Sequence, residues 1–172
     1  MDLRRLSTTL DQFETDDQWD IPYLLQNAKL LERFDLFVGG GRSIAGILSP
    51  GARNLKVLDL EISFFHINSS PLWEICKELE AFAGHNLLET LSFVTFLSNL
   101  VTEDSIGSLF QEMETVLVKP GWSMLRQVSF KVSITPFEGS QNLSVALQSL
   151  PDKYLKRLSK HESIAFDYAV FK

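Results

Sequence analysis

The run LKVLDLEIS, Leu55 to Ser63, sets a leucine three residues ahead of an alternating apolar series, Leu58, Leu60 and Ile62. Alternation is the period of a strand with one face buried and the other in water. The arrangement returns at Leu31, Phe34, Leu36 and Val38, at Leu88, Leu91 and Phe93, and at Leu125, Val128, Phe130 and Val132. A fainter version occupies Leu3, Leu6, Thr8 and Leu10, where a short amphipathic helix is the rival reading. Ile164, Phe166, Tyr168 and Val170 supply a last alternating strand. Centring the strands on Leu36, Leu60, Phe93, Phe130 and Phe166 gives steps of 24, 33, 37 and 36 residues. Each step has room for a strand, a turn, a helix and a return, so successive strands are expected to lie parallel and side by side. One such unit cannot bury its own apolar face, whereas stacked units make a continuous core.

Between the strands the apolar period changes to that of a helix. Leu72, Ile75, Cys76, Leu79, Phe82 and Ala83 share one face of a helix over 71–83, with Ser70 as its cap, Pro71 at its first position and Gly84 as its stop. Ile106, Leu109, Phe110, Met113, Val116 and Leu117 form the stripe of a second, opened by Thr102, Glu103 and Asp104 and ended by Pro120-Gly121. Residues 143–150 and 152–158 read as two short helices broken at Pro151, after a loop over 136–142.

Chemistry-bearing residues are sparse. Cys76 falls on a buried stripe, where a thiol is ordinarily inert. Glu14, Asp16, Asp17 and Asp20 lack the glycine and terminal glutamate of a calcium loop and read as a solvated segment beside Trp19 and a short helix near 23–28. His66, His85 and His161 have no local metal-ligand spacing. Gly39, Gly40, Gly41, Arg42 and Ser43 lead from a strand into a short helix over 44–48. That combination suits an anion, although neither phosphate-loop nor dinucleotide signature is present. A small phosphate- or nucleotide-binding protein using this turn is the alternative function. Lys153, Lys156, Arg157, Lys160 and His161 cluster without interleaved aromatics, as on a solvated helix face. Trp122 is expected to close the turn between a helix and a strand.

With 172 residues and 45% apolar content the chain suits one domain with a sizeable core, which excludes wholesale disorder. Its net charge of −6 argues against a dedicated nucleic-acid binder, which carries a basic excess. A single cysteine excludes an internal disulfide and suits a reducing compartment. Neither a signal-peptide core nor an 18-residue apolar run occurs, so an intracellular protein of cytoplasm or nucleus with no membrane partner is expected.

The strings WEICKELEAFAGHNLLETLSF (73–93) and VLVKPGWSMLRQVSFKVSI (116–134) resemble the paired helix-and-strand blocks of irregular leucine-rich-repeat regions in basidiomycete F-box-like and hypothetical proteins. With the flanking strands the likeness covers nearly the whole chain. The resemblance implies an α/β solenoid of parallel strands with helices on its convex side, as a single irregular domain over 1–172. It also implies a non-catalytic protein-recognition scaffold, related to the substrate-receptor regions of F-box proteins and without a cofactor. The Asn or Cys that follows the strand in regular repeats is not evident, and the spacings are irregular, which leaves a short open α/β sheet as the alternative fold. Met1 opens almost directly into repeat-like sequence, so a fragment without terminal caps and without the ligase-docking F-box module is expected. The contact surface would be the outward strand positions Asp59, Glu61, Thr90, Ser92, Gln127 and Ser129. Open terminal strands invite pairing, so homodimerisation stands beside an unidentified protein partner.

Overall fold

Each alternating run forms a strand: β1 (Arg5–Leu10), β2 (Arg33–Val38), β3 (Val57–Phe64), β4 (Thr90–Leu97), β5 (Gln127–Ile134) and β6 (Ala165–Phe171). The computed structural model describes residues 4–10, 30–38, 48, 54–64, 71–84, 86–97, 102–135 and 140–171. The six strands make one sheet in the order β1-β2-β3-β4-β5-β6, with every neighbouring pair parallel. Parallel neighbours in sequence order require a crossover after every strand, and right-handed crossovers all return on the same side. The five described helices are α1 (Pro71–Phe82), α2 (Glu103–Leu117), α3 (Ser140–Gln148), α4 (Leu150–Tyr154) and α5 (Lys156–Ser159). Their buried residues join one core with the inward residues of the strands. Parallel sheets usually carry helices on both faces. Here β2 and β4 alternate strictly between half-buried and buried residues, so one face is fully buried and the other only partly.

The core is built in rungs across the sheet. Leu36, Leu60, Phe93, Phe130 and Tyr168 stand in register on successive strands. Phe93 stacks on Phe130 with ring centroids 5.1 Å apart, and Phe110 of α2 covers Phe130 at 5.2 Å. Ile75, Cys76, Leu79 and Phe82 of α1 are buried, as are Ile106, Leu109, Phe110, Met113, Val116 and Leu117 of α2. The stripe predicted for α2 is buried throughout; that of α1 is buried from Ile75 to Phe82, Ala83 past its end is half-buried, and the Leu72 side chain lies outside the described residues.

The turns after α1 and α2 touch each other. Gly84 (φ +82°) donates its backbone N–H to the Gly121 carbonyl at 2.8 Å, and Gly121 (φ +124°) approaches so closely that a Cβ there would sit 2.9 Å from the Gly84 nitrogen. Trp122 closes this turn, its indole Nε1 donating to the Val116 carbonyl at 3.0 Å while its ring lies against Phe82. Asn86 is buried beside them, donating to the Phe82 carbonyl at 3.0 Å and accepting from the Leu88 N–H at 3.1 Å. Further on, the buried Glu114 carboxylate accepts the backbone N–H groups of Arg157 and Leu158 at 2.6 and 3.0 Å, capping α5 from a neighbouring helix.

Just before the strands, a second row runs across the sheet. The Arg4 carbonyl accepts from Glu32 and Arg33, that of Glu32 from Lys56 and Val57, that of Lys56 from Glu89 and Thr90, and that of Glu89 from Arg126 and Gln127. The side chains along this row alternate in sign: Arg4, Glu32, Lys56, Glu89, Arg126. Lys56 reaches the Glu32 carboxylate at 3.5 Å.

Three expectations need correction. The partner of Phe130 is Tyr168, not Phe166, so the last step is 38 residues. A shift of two residues keeps every side chain on its own face, and the apolar pattern therefore does not distinguish the two registers. Pro151 does not break a helix; it lies in the first turn of α4, where its missing N–H costs nothing, and the breaks fall at Ser149 and Leu155. The loop expected over 136–142 gives way to helix at Ser140. Outside the described residues lie the 11–29 segment with Trp19, its acids and the expected helix near 23–28, the Gly39–Ser43 turn, the helix expected from Ile44, the Ser70 cap, His66, His85 and 136–139.

Candidate functional site

The face of the sheet opposite the helices is polar over half its height. Its first rung runs Arg5, Arg33, Val57, Thr90, Gln127, Ala165, and its second Ser7, Asp35, Asp59, Ser92, Ser129, Asp167. Its third includes Phe37, Glu61, Val94, Lys131 and Ala169, and its fourth Ser63, Phe96, Ser133 and Phe171. Strand alternation therefore gathers the six expected contact residues on one surface. Thr90 and Gln127 share the first rung, Asp59, Ser92 and Ser129 the second, and Glu61 stands on the third. Ser129 differs from the other five in being buried. Its short side chain sits on an interior strand flanked by neighbours on both sides, and it is only 6% exposed.

An ion-pair network organises the polar half. Arg5 donates from Nε and Nη2 to Asp35 Oδ2 at 2.9 and 2.8 Å. Arg33 bridges two strands, donating from Nε to Asp35 Oδ1 at 2.9 Å and from Nη2 to Asp59 Oδ2 at 2.5 Å. Desolvation pushes the Asp35 carboxyl up, but hydrogen bonds from Arg33 and Arg5 outweigh it and hold the group below its ordinary value. Asp59 moves the other way: desolvation, then the hydrogen-bonded neighbour Asp35, raise it against the pull of Arg33. The two carboxyls thus form an asymmetric pair, with Asp35 the committed anion.

The upper half carries residues that the outward-polar rule overlooks. Phe37, Val94 and Phe96 are half-buried, and Phe171 is 50% exposed. Glu61 and Lys131 stand among them, and among the described residues neither takes part in an ion pair. The signal was in the sequence as apolar runs too long for alternation, Leu36-Phe37-Val38 and Phe93-Val94.

Elsewhere the chemistry is thin. Burial, then the nearby acids Glu112 and Glu80, push the Cys76 thiol up to about 12, so it holds its proton at neutral pH. Ser163 Oγ lies 3.3 Å from His161 Nδ1, a contact within one exposed turn. Among the described residues no three His, Cys, Asp or Glu side chains gather as metal ligands would. In the basic cluster Lys153 is paired with Glu103, while Lys156, Arg157 and Lys160 are exposed along a shallow concavity that ends at Ser163. No described helix is long and apolar enough to cross a membrane.

No family model, curated protein or solved structure matches this chain.

Proposed function

We propose that the chain is a short leucine-rich-repeat-like solenoid that acts as a non-catalytic protein-recognition scaffold through the open face of its sheet. One observation carries the reading: an all-parallel sheet in sequence order has all its described helices on one side, so that none of the described helices covers the other broad face. That face combines a fixed ion-pair network with half-buried aromatics, and partner-binding surfaces draw their strongest contacts from aromatic and arginine side chains. A role like the substrate-receptor half of an F-box protein is the form of recognition to which the sequence resemblance points.

The test is comparative. Wild-type protein, Ser92→Arg in the middle of the open face, and Lys77→Glu on the exposed side of α1 are immobilised and exposed to fungal extract. Ser92→Arg should lose a protein that wild type and Lys77→Glu both retain. Identical retention by all three would place recognition somewhere other than the sheet.

A further inference from the structure

The upper half of the open face has a composition of its own, and it specifies what kind of segment can lie on it. Phe37, Val94, Phe96 and Phe171 make it apolar, and Glu61 and Lys131 are its two charges. In the third rung Glu61 pairs with Val94 and Val94 with Lys131, so the charges stand two strand spacings apart, or about 10 Å. They are too distant to neutralise each other directly and, among the described residues, have no other ion-pair partner. The backbone N–H and C=O groups of interior strands are used within the sheet. An extended peptide laid across this face would leave its own backbone unsatisfied, whereas a helix satisfies its backbone internally.

We infer that the strip is a docking site for an amphipathic helix lying across the strands. Its apolar stripe rests on Val94 and Phe96, with a cation facing Glu61 and an anion facing Lys131. At 1.5 Å per residue, charges about 10 Å apart along a helix are about seven residues apart, which returns both to the same side. The strip thus reads two things in its partner: an apolar stripe, and the direction in which the charges run. This inference rests on the recognition reading above and narrows it to one class of partner.

The experiment selects from a displayed library of helical peptides with a fixed apolar stripe and randomised flanking charges, using the whole chain as bait. Enriched peptides should carry a cation and an anion about seven residues apart. They should bind Glu61→Lys/Lys131→Glu at least about tenfold more weakly. Exchanging the two charges in the peptide should restore binding to that double variant. Enrichment without this spacing, indifference to the charge swap, or no enrichment at all overturns the inference. Peptides that ignore the swap but are lost in Ser92→Arg would leave open-face recognition standing and remove only the helix strip. If no peptide is selected and the extract experiment also finds no open-face partner, both readings fail together.

Discussion

Asp35 and Asp59 occupy neighbouring strands on one rung, yet their surroundings move their acidities in opposite directions. The folded chain holds a proton on Asp59 above the ordinary 3.8. The native state therefore binds more protons than the unfolded chain in the window just above 3.8, and this group lowers stability as pH rises through that window. Asp35 does the reverse: its contribution is present above 3.8 and is lost as pH falls through its lower native value. Urea midpoints followed across the acid range should separate them. Asp59→Asn is expected to hold or raise stability at neutral pH and to flatten the decline above 3.8. Asp35→Asn is expected to lower stability at neutral pH and to erase the loss on the acid side. At Cys76, whose thiol is pushed up to about 12, alkylation at mildly alkaline pH should be negligible in the native protein and complete in urea. Rapid native labelling would show that α1 opens locally. Glu114→Ala strips two charge-assisted hydrogen bonds from α5 and is expected to cost about 2–3 kcal/mol in urea denaturation.

At the scale of the element, the two glycine turns offer a controlled comparison. Gly84→Ala meets no atom within 4 Å and suffers only from its positive φ, about 1 kcal/mol. Gly121→Ala adds a Cβ 2.9 Å from the Gly84 nitrogen and 3.2 Å from the Ala83 Cβ, so it must separate the two turns as well. Its loss should exceed that of Gly84→Ala by about 1–2 kcal/mol in thermal or urea unfolding. Equal losses would mean that the turn contact contributes nothing. Strands β2 to β5 were readable because each has a buried inward face, as at Leu58, Leu60 and Ile62. Other features depend on tertiary neighbours that a linear pattern does not carry. Phe166 and Tyr168 are both apolar and two residues apart, so periodicity alone does not choose between their registers. Pro151 is compatible with ending one helix or opening the next, and the choice falls to the packing of α4 against α2. Gly107 shows the same dependence: an added Cβ would meet the Tyr154 ring at 2.5 Å, a contact between residues far apart in sequence.

For the whole molecule, the sequential parallel order was legible from the recurring steps, and so was the face that the expected contact residues share. The burial of Ser129 was not, because it depends on which neighbours flank a strand, whereas the aromatic half of that face was signalled by the apolar runs at Phe37 and Val94. The last strand also leaves its inward residues incompletely covered: Phe166, Tyr168 and Val170 are half-buried, unlike their fully buried counterparts on β5. A sheet ending in a strand of this kind offers an edge for pairing. Self-association is expected at high concentration, and Val170→Lys should shift the sedimentation profile towards monomer. A wild-type chain that stays monomeric at every concentration would remove the homodimer.

The charged row before the strands has a consequence for how such a chain grows or shrinks. Arg4, Glu32, Lys56, Glu89 and Arg126 alternate in sign, and like charges placed side by side on adjacent strands are destabilising. Excising the single unit 56–88 would set Glu32 beside Glu89. Excising the two units 56–125 would set Glu32 beside Arg126 and keep the alternation. Removal of one unit would therefore set like charges side by side in this row, whereas removal of two neighbouring units would keep the signs alternating.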